Sequence, residues 1–207
     1  MTVGPGAFAV ASGDCNGDGI VDMVSVNQGD NTVSVLMGNL EGGFNPQVTY
    51  PTGAAPTAVV TGDFNNDGNL DLAVTDGNCA VEGGPNATTA LSCSPGTVSI
   101  LLGNGDGSFQ PHLDYATGKG PSSLAAGDFN GDGKLDLAIA NGQDGTVSAL
   151  LGRAGMEHFS RRSSTPWPVR KACSLAISIT TTSSIWWSVE SPFQPCWATV
   201  TELFRLH

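Results

Sequence analysis

GDFNGDGKLDLAIANG, residues 127–142, places Asp128, Asp132 and Asp136 within nine residues, with Asn130 between them and glycines at 131 and 133. Three like charges held that close repel one another, so the arrangement is favourable only if something positive sits among them. A bound cation is the simplest candidate. In a tight loop reading D-x-N-x-D-G-x-x-D, the side chains at positions 1, 3, 5 and 9 can converge on one point. A main-chain carbonyl at position 7 then completes the shell, and the glycine at position 6 permits the sharp turn.

The stretch is one of three copies. GDCNGDGIVDMVSVNQGDNTVSVLMGN (13–39) and GDFNNDGNLDLAVTDG (62–77) repeat it, with first aspartates at Asp14, Asp63 and Asp128. The first interval is 49 residues and the second is 65. The excess has a clear location, because NCAVEGGPNATTALSCSPG (78–96) stands where the first copy has only NQGDN (27–31). With that insertion, placed at 78–94, set aside, the period is 49 throughout. The predicted ligand sets are Asp14, Asn16, Asp18 and Asp22; Asp63, Asn65, Asp67 and Asp71; Asp128, Asn130, Asp132 and Asp136. The position-7 carbonyls belong to Ile20, Asn69 and Lys134, and the position-6 glycines are Gly19, Gly68 and Gly133. All these donors are hard oxygens, with no Cys or His at metal spacing, which favours Ca²⁺ over zinc or copper. The number of protein oxygens favours it over Mg²⁺.

Within a unit the pattern predicts strands only. PTAVVTGDF (56–64), LDLAVTDG (70–77), TVSILLGN (97–104) and SFQPHLDY (108–115) are short runs rich in Val, Leu, Ile, Thr and aromatics, separated by Gly, Asn and Asp turns. Four short strands per 49 residues is the pattern of a propeller blade. A helix-flanked calcium hand needs a bidentate Glu at position 12, where these loops have Ser25, Val74 and Ile139. A dockerin shares the opening of the loop but continues into an amphipathic helix, against the strand alternation here.

The repeated G-D-F-N-x-D-G-x-x-D-L-A unit resembles FG-GAP repeats of the VCBS type, related to the calcium-binding blades of the integrin α-subunit propeller. The resemblance covers roughly residues 4–152. It implies an all-β fold, a partial β-propeller of three blades with Ca²⁺ loops on one face, in an exported, extracellular or cell-surface protein that acts in adhesion or ligand binding. Three blades fall short of a closed ring, and Cys15 replaces the usual Phe of the first copy.

Composition changes abruptly near residue 152. All 14 Asp and 27 of the 28 Gly precede it, at a formal charge of −14, whereas the last 55 residues hold all four Trp and carry +3. The tail has a reading in the genetic code. WATVTELFRLH (197–207) back-translates so that a shifted phase gives GNGDGTFPSP, close to GNGDGSFQPH at 103–112. MEHFS (156–160) likewise yields DGTFQ, and AISITTTSSIWW (176–187) yields DFDYNNVIDLV. Residues 153–207 therefore read as a fourth repeat translated in the wrong frame, not expected to fold; the alternative is a genuine Trp-rich segment.

The acidic repeat region argues against nucleic acid and anionic membrane surfaces, both of which select clustered Lys or Arg. No run of 18 apolar residues suits a membrane span. MTVGPGAFAV lacks the basic and apolar regions of a secretory signal. Cys79 and Cys93 bracket the insertion, as a disulfide or as two free thiols; a bond would be worth about 3 kcal/mol in the chain-entropy model. Asn86-Ala87-Thr88 matches a glycosylation sequon. His112 reads as a surface or packing residue, and Phe44 and Phe109 as core anchors between units.

No catalytic constellation is found, so the expected function is a non-enzymatic, Ca²⁺-stabilised binding or adhesion module with a protein or carbohydrate ligand. Its alternatives are the accessory propeller of a longer extracellular enzyme, carbohydrate-active or of phospholipase type, and an inactive truncated fragment.

Overall fold

The computed structural model describes residues 2–82, 90–152, 160–166, 176–180 and 184–188. Among them every regular element is a strand. The first sheet is a meander of β1 (Ala7–Gly13), β2 (Asp22–Asn27), β3 (Thr32–Leu36) and β4 (Val48–Pro51). The second begins with β5 (Pro56–Gly62) and β6 (Asp71–Asp76), and is interrupted by a hairpin of β7 (Cys79–Glu82) and β8 (Ala90–Cys93). It resumes with β9 (Pro95–Leu101) and β10 (Leu113–Lys119), which give the same meander once the hairpin is set aside. The third comprises β11 (Pro121–Gly127), β12 (Asp136–Asn141), β13 (Thr146–Leu151) and β14 (Ser160–Pro166). A separate ladder joins β15 (Ala176–Thr180) to β16 (Ser184–Ser188).

All pairings are antiparallel. β1, β5 and β11 each open with a register irregularity at the same place, between Ala7 and Ala9, Pro56 and Ala58, and Pro121 and Ser123. The three sheets are thus copies down to a single bulge.

The fourth strand of the second sheet starts at Leu113, five residues after the expected start at Ser108. Residues 103–112 instead form a turn closed by an isolated bridge between Gly103 and Phe109, matched in the first sheet by Gly38 and Phe44. The third sheet takes its fourth strand from beyond Gly152. Ladders are made by main-chain groups, so an open edge such as that of β13 accepts a strand largely regardless of its side chains.

The core lies between successive sheets. Val59 of β5 joins Val24, Val26, Val33 and Val35 of the first sheet, together with Leu72, Val74, Leu101 and Phe109. Leu124 of β11 joins Ala73, Val98 and Ile100 of the second sheet, with Leu137, Ile139 and Leu150. Each fully buried Val or Leu contributes about 1.5–3 kcal/mol by leaving water, so each sheet is held mainly by its neighbour. Phe109 is buried, its ring edge-on to Tyr50 of the preceding sheet at 5.5 Å between centroids. Phe44 is not the core anchor expected, being 41% exposed. The bond between Cys79 and Cys93 is formed and closes the inserted hairpin. The sequon at 86–88, Cys173, Cys196 and most of the tail lie outside the described residues.

Candidate metal centres

Each loop runs from the glycine that ends one strand to the aspartate that begins the next, and those two residues pair across the ladder: Gly13 with Asp22, Gly62 with Asp71, Gly127 with Asp136. The loop is therefore pinned at both ends by the sheet. Gly19, Gly68 and Gly133 take positive φ of 82°, 91° and 82°, as expected of position 6. Position 4 does so too, through Gly17, Asn66 and Gly131. The Asn-Gly and Asn-Asn steps were the available signal for that second left-handed residue.

With both left-handed residues in place, main-chain N–H groups point inward at the first aspartate. Asp14 accepts from Gly17 (2.8 Å), Asp18 (3.1 Å) and Gly19 (2.8 Å). Asp63 accepts from Asp67 (3.1 Å) and Gly68 (2.9 Å). Asp128 accepts from Gly131 (2.7 Å), Asp132 (3.1 Å) and Gly133 (2.8 Å). The side chains at positions 3 and 5 join on the same loop: the amide nitrogens of Asn16, Asn65 and Asn130 donate to Asp18, Asp67 and Asp132 at 2.9, 2.9 and 3.2 Å. The position-5 carboxylates also accept the N–H of Ile20, Asn69 and Lys134. Lys134 places its Nζ 3.7 Å from Asp132.

The ninth residue is placed differently. Asp22, Asp71 and Asp136 are fully buried, and each spends both oxygens on main-chain N–H groups from two directions. Asp22 takes Cys15 and Gly38, both at 2.8 Å. Asp71 takes Phe64 and Gly103, both at 2.8 Å. Asp136 takes Phe129 at 3.0 Å and Gly152 at 2.8 Å. The structure thus brings positions 1, 3 and 5 together on the open side of the loop, with the ninth carboxylate clasping the loop's start to the end of the third strand. That clasp was not read from the sequence.

The electrostatics follow the hydrogen bonds. The Gly19 N–H, with those of Gly17 and Asp18, holds Asp14 below the usual carboxylate range, and Gly133, Gly131 and Asp132 do the same for Asp128. At Asp67 slight desolvation pushes upward but is outweighed by the Asn69 N–H and the Asn65 side chain, leaving it lowered. Burial pushes Asp71 up to about 6 against its two N–H donors, with Asp67 and Asp63 adding to the push. Asp136 is raised for the same reasons.

Among the described residues no three Asp, Glu, His or Cys side chains stand as a group that could hold a metal ion. The donor set nevertheless fits a hard cation in kind. Positions 1, 3 and 5 offer carboxylate and amide oxygens on one exposed side, and a carboxylate has about four lone-pair sites, more than the two or three bonds each accepts here.

A second polar cluster occupies the other end of β6. Asp76 is fully buried and accepts from Ser99 (2.7 Å) and Thr97 (3.3 Å); its other oxygen, Oδ1, has no partner among the described residues. Ser99 also lies 2.8 Å from Asp114, which takes His112 Nδ1 at 2.8 Å. His112 is thus a packing residue with one carboxylate partner. Burial first, and then Asp114, pushes Asp76 up to about 7.

The family model described as FG-GAP-like repeat matches residues 14–74 and 89–139, more than half of the chain. No curated protein matches it. Among the described residues no helix is long and apolar enough to cross a membrane.

Proposed function

Because the chain belongs to the FG-GAP-like repeat family, we propose that it is a calcium-stabilised repeat module of an exported adhesion or ligand-binding protein, without catalysis of its own. The observation that carries this reading is the threefold recurrence of one loop, with a first aspartate cradled by amides and further oxygens at positions 3 and 5 on the open side. Asp14, Asn16 and Asp18, with their counterparts in the other two loops, would hold the ion. A bound Ca²⁺ supplies positive charge between carboxylates that otherwise repel. The residues themselves fix the loop: the amide cradle orients the first aspartate, and the ninth ties the loop to the third strand. The ion's role in this reading is structural: among the described residues, the loops place carboxylates, amides and main-chain groups beside it.

Melting the full chain in millimolar Ca²⁺ and in chelator tests this. A ligand that binds only the folded state at a hundred times its Kd adds about 2.7 kcal/mol per site, so Ca²⁺ should raise the Tm by several degrees. The combined change Asp18→Asn, Asp67→Asn and Asp132→Asn should abolish that rise while leaving the curve in chelator little altered. Coincident curves with and without Ca²⁺ would mean that the loops are hairpins closed by their own amides.

A further inference from the structure

Asparagine is followed by glycine at four places in the chain, Asn16-Gly17, Asn104-Gly105, Asn130-Gly131 and Asn141-Gly142. This dipeptide is the one most open to attack by its own main chain, because glycine has no Cβ to shield its nitrogen from the asparagine side chain. The nitrogen must give up its proton to attack, so whatever holds that N–H decides the outcome. In the first and third loops a carboxylate holds it: Gly17 donates to Asp14 at 2.8 Å and Gly131 to Asp128 at 2.7 Å. A negative charge there opposes loss of the proton. Gly142 donates to the Gly120 carbonyl at 2.8 Å, and Asn141 is buried with its side chain tied to Gly118, Thr146 and Ser148. Among the described residues, only Gly105 of the four glycines has no acceptor for its N–H. Asn104 is exposed.

We propose that Asn104 is a site of spontaneous modification, which the chain itself converts to aspartate and isoaspartate. The Gly105 nitrogen bonds to Cγ of Asn104 as the side-chain amide bond breaks, and ammonia leaves with the nitrogen's proton. Water then opens the resulting five-membered imide at either carbonyl. One opening leaves aspartate; the other leaves the main chain routed through the side chain, one methylene longer. Gln110 donates to Asn104 Oδ1 at 3.3 Å and draws electron density from Cγ. The 2.9 Å bond from Nδ2 to Ser108 breaks as ammonia leaves. The turn is committed to glycine at 105, since its φ is 79° and a Cβ there would collide with Asn69 Oδ1. The added methylene falls between Gly103, whose N–H the Asp71 carboxylate accepts, and Phe109, which bridges back to Gly103. Conversion therefore acts on the turn that the second loop's clasp holds.

The test incubates the full chain at pH 8 with and without urea, then digests it and weighs each Asn-Gly peptide at intervals. Without urea, Asn104 should convert at least about tenfold faster than Asn16, Asn130 and Asn141, the factor that one hydrogen bond to a charged group is worth. In urea, where the fold no longer distinguishes them, all four should convert at similar rates. Fragment spectra should show aspartate and isoaspartate together at 104. An Asn104 no faster than the other three in the folded chain would overturn the proposal. So would an equal lead of Asn104 in urea, which would trace it to local sequence, or aspartate alone at 104, which would mean direct hydrolysis without the Gly105 nitrogen.

Discussion

Asp76 stands where the other two sheets have asparagine. Asn27 donates to Thr32 and Ser34, and Asn141 to Thr146 and Ser148, each from its side-chain nitrogen. An ionised aspartate cannot donate, yet Ser99 has one proton and two carboxylates within reach, Asp76 and Asp114. Protonation of Asp76 relieves the conflict by reversing the bond it accepts when ionised: its carboxyl proton goes to Ser99, whose own proton goes to Asp114. With the folded pKa raised to about 7 from 3.8, the stability due to the neutral group is fully present below about pH 4 and is lost as pH rises through 7. Asp76→Asn should therefore stabilise the chain by about 4 kcal/mol at pH 8 and change little at pH 4. Denaturant titrations at the two pH values check this, and equal effects at both would refute it.

At the scale of the element, the repeat made the loops and the first three strands of each sheet legible, because D-x-N-x-D-G fixes where one strand ends and the next begins. The fourth strand was misplaced. SFQPHLDY carries Phe, Leu and Tyr, but Pro111 breaks the ladder, and Gly103 and Phe109 first close a turn whose signal is the pair of dipeptides Asn104-Gly105 and Asp106-Gly107, both glycines at positive φ. Likewise, the ninth aspartate reads from the sequence as a ligand, and only the approach of Gly38, Gly103 and Gly152 shows that it also clasps the loop to the end of the third strand. The status of Cys79 and Cys93 could not be read either, since the same pair suits a bond or two thiols. The bond closes a hairpin of its own, so replacing both by Ser should cost no more than the roughly 3 kcal/mol of chain entropy and leave any calcium-dependent melting shift intact. A loss of that shift would show that the hairpin supports the loops.

At the scale of the molecule, the three sheets repeat the same joint. Gly4, Gly53 and Gly118 each press against the residue at the end of a second strand, Asn27, Asp76 and Asn141, so closely that a Cβ would collide with it. The exposure of Phe44 was invisible in the sequence because its burial depends on a neighbour, not on its own surroundings. The tail remains the largest break in the pattern. Reading the nucleotide sequence past the codon for Gly152 in the shifted phase should yield further DGTF-like and GDF-like units; their absence would make the Trp-rich segment a genuine module.

The inserted hairpin enters between Asp76 and Thr97, which still pair just as Asn27 pairs with Thr32 and Asn141 with Thr146. Sixteen additional residues have passed through that turn without shifting the ladder by one position. The turn therefore works as a cloning port supplied by the fold, where foreign peptides could be displayed between fixed anchor points while the scaffold beneath keeps its shape.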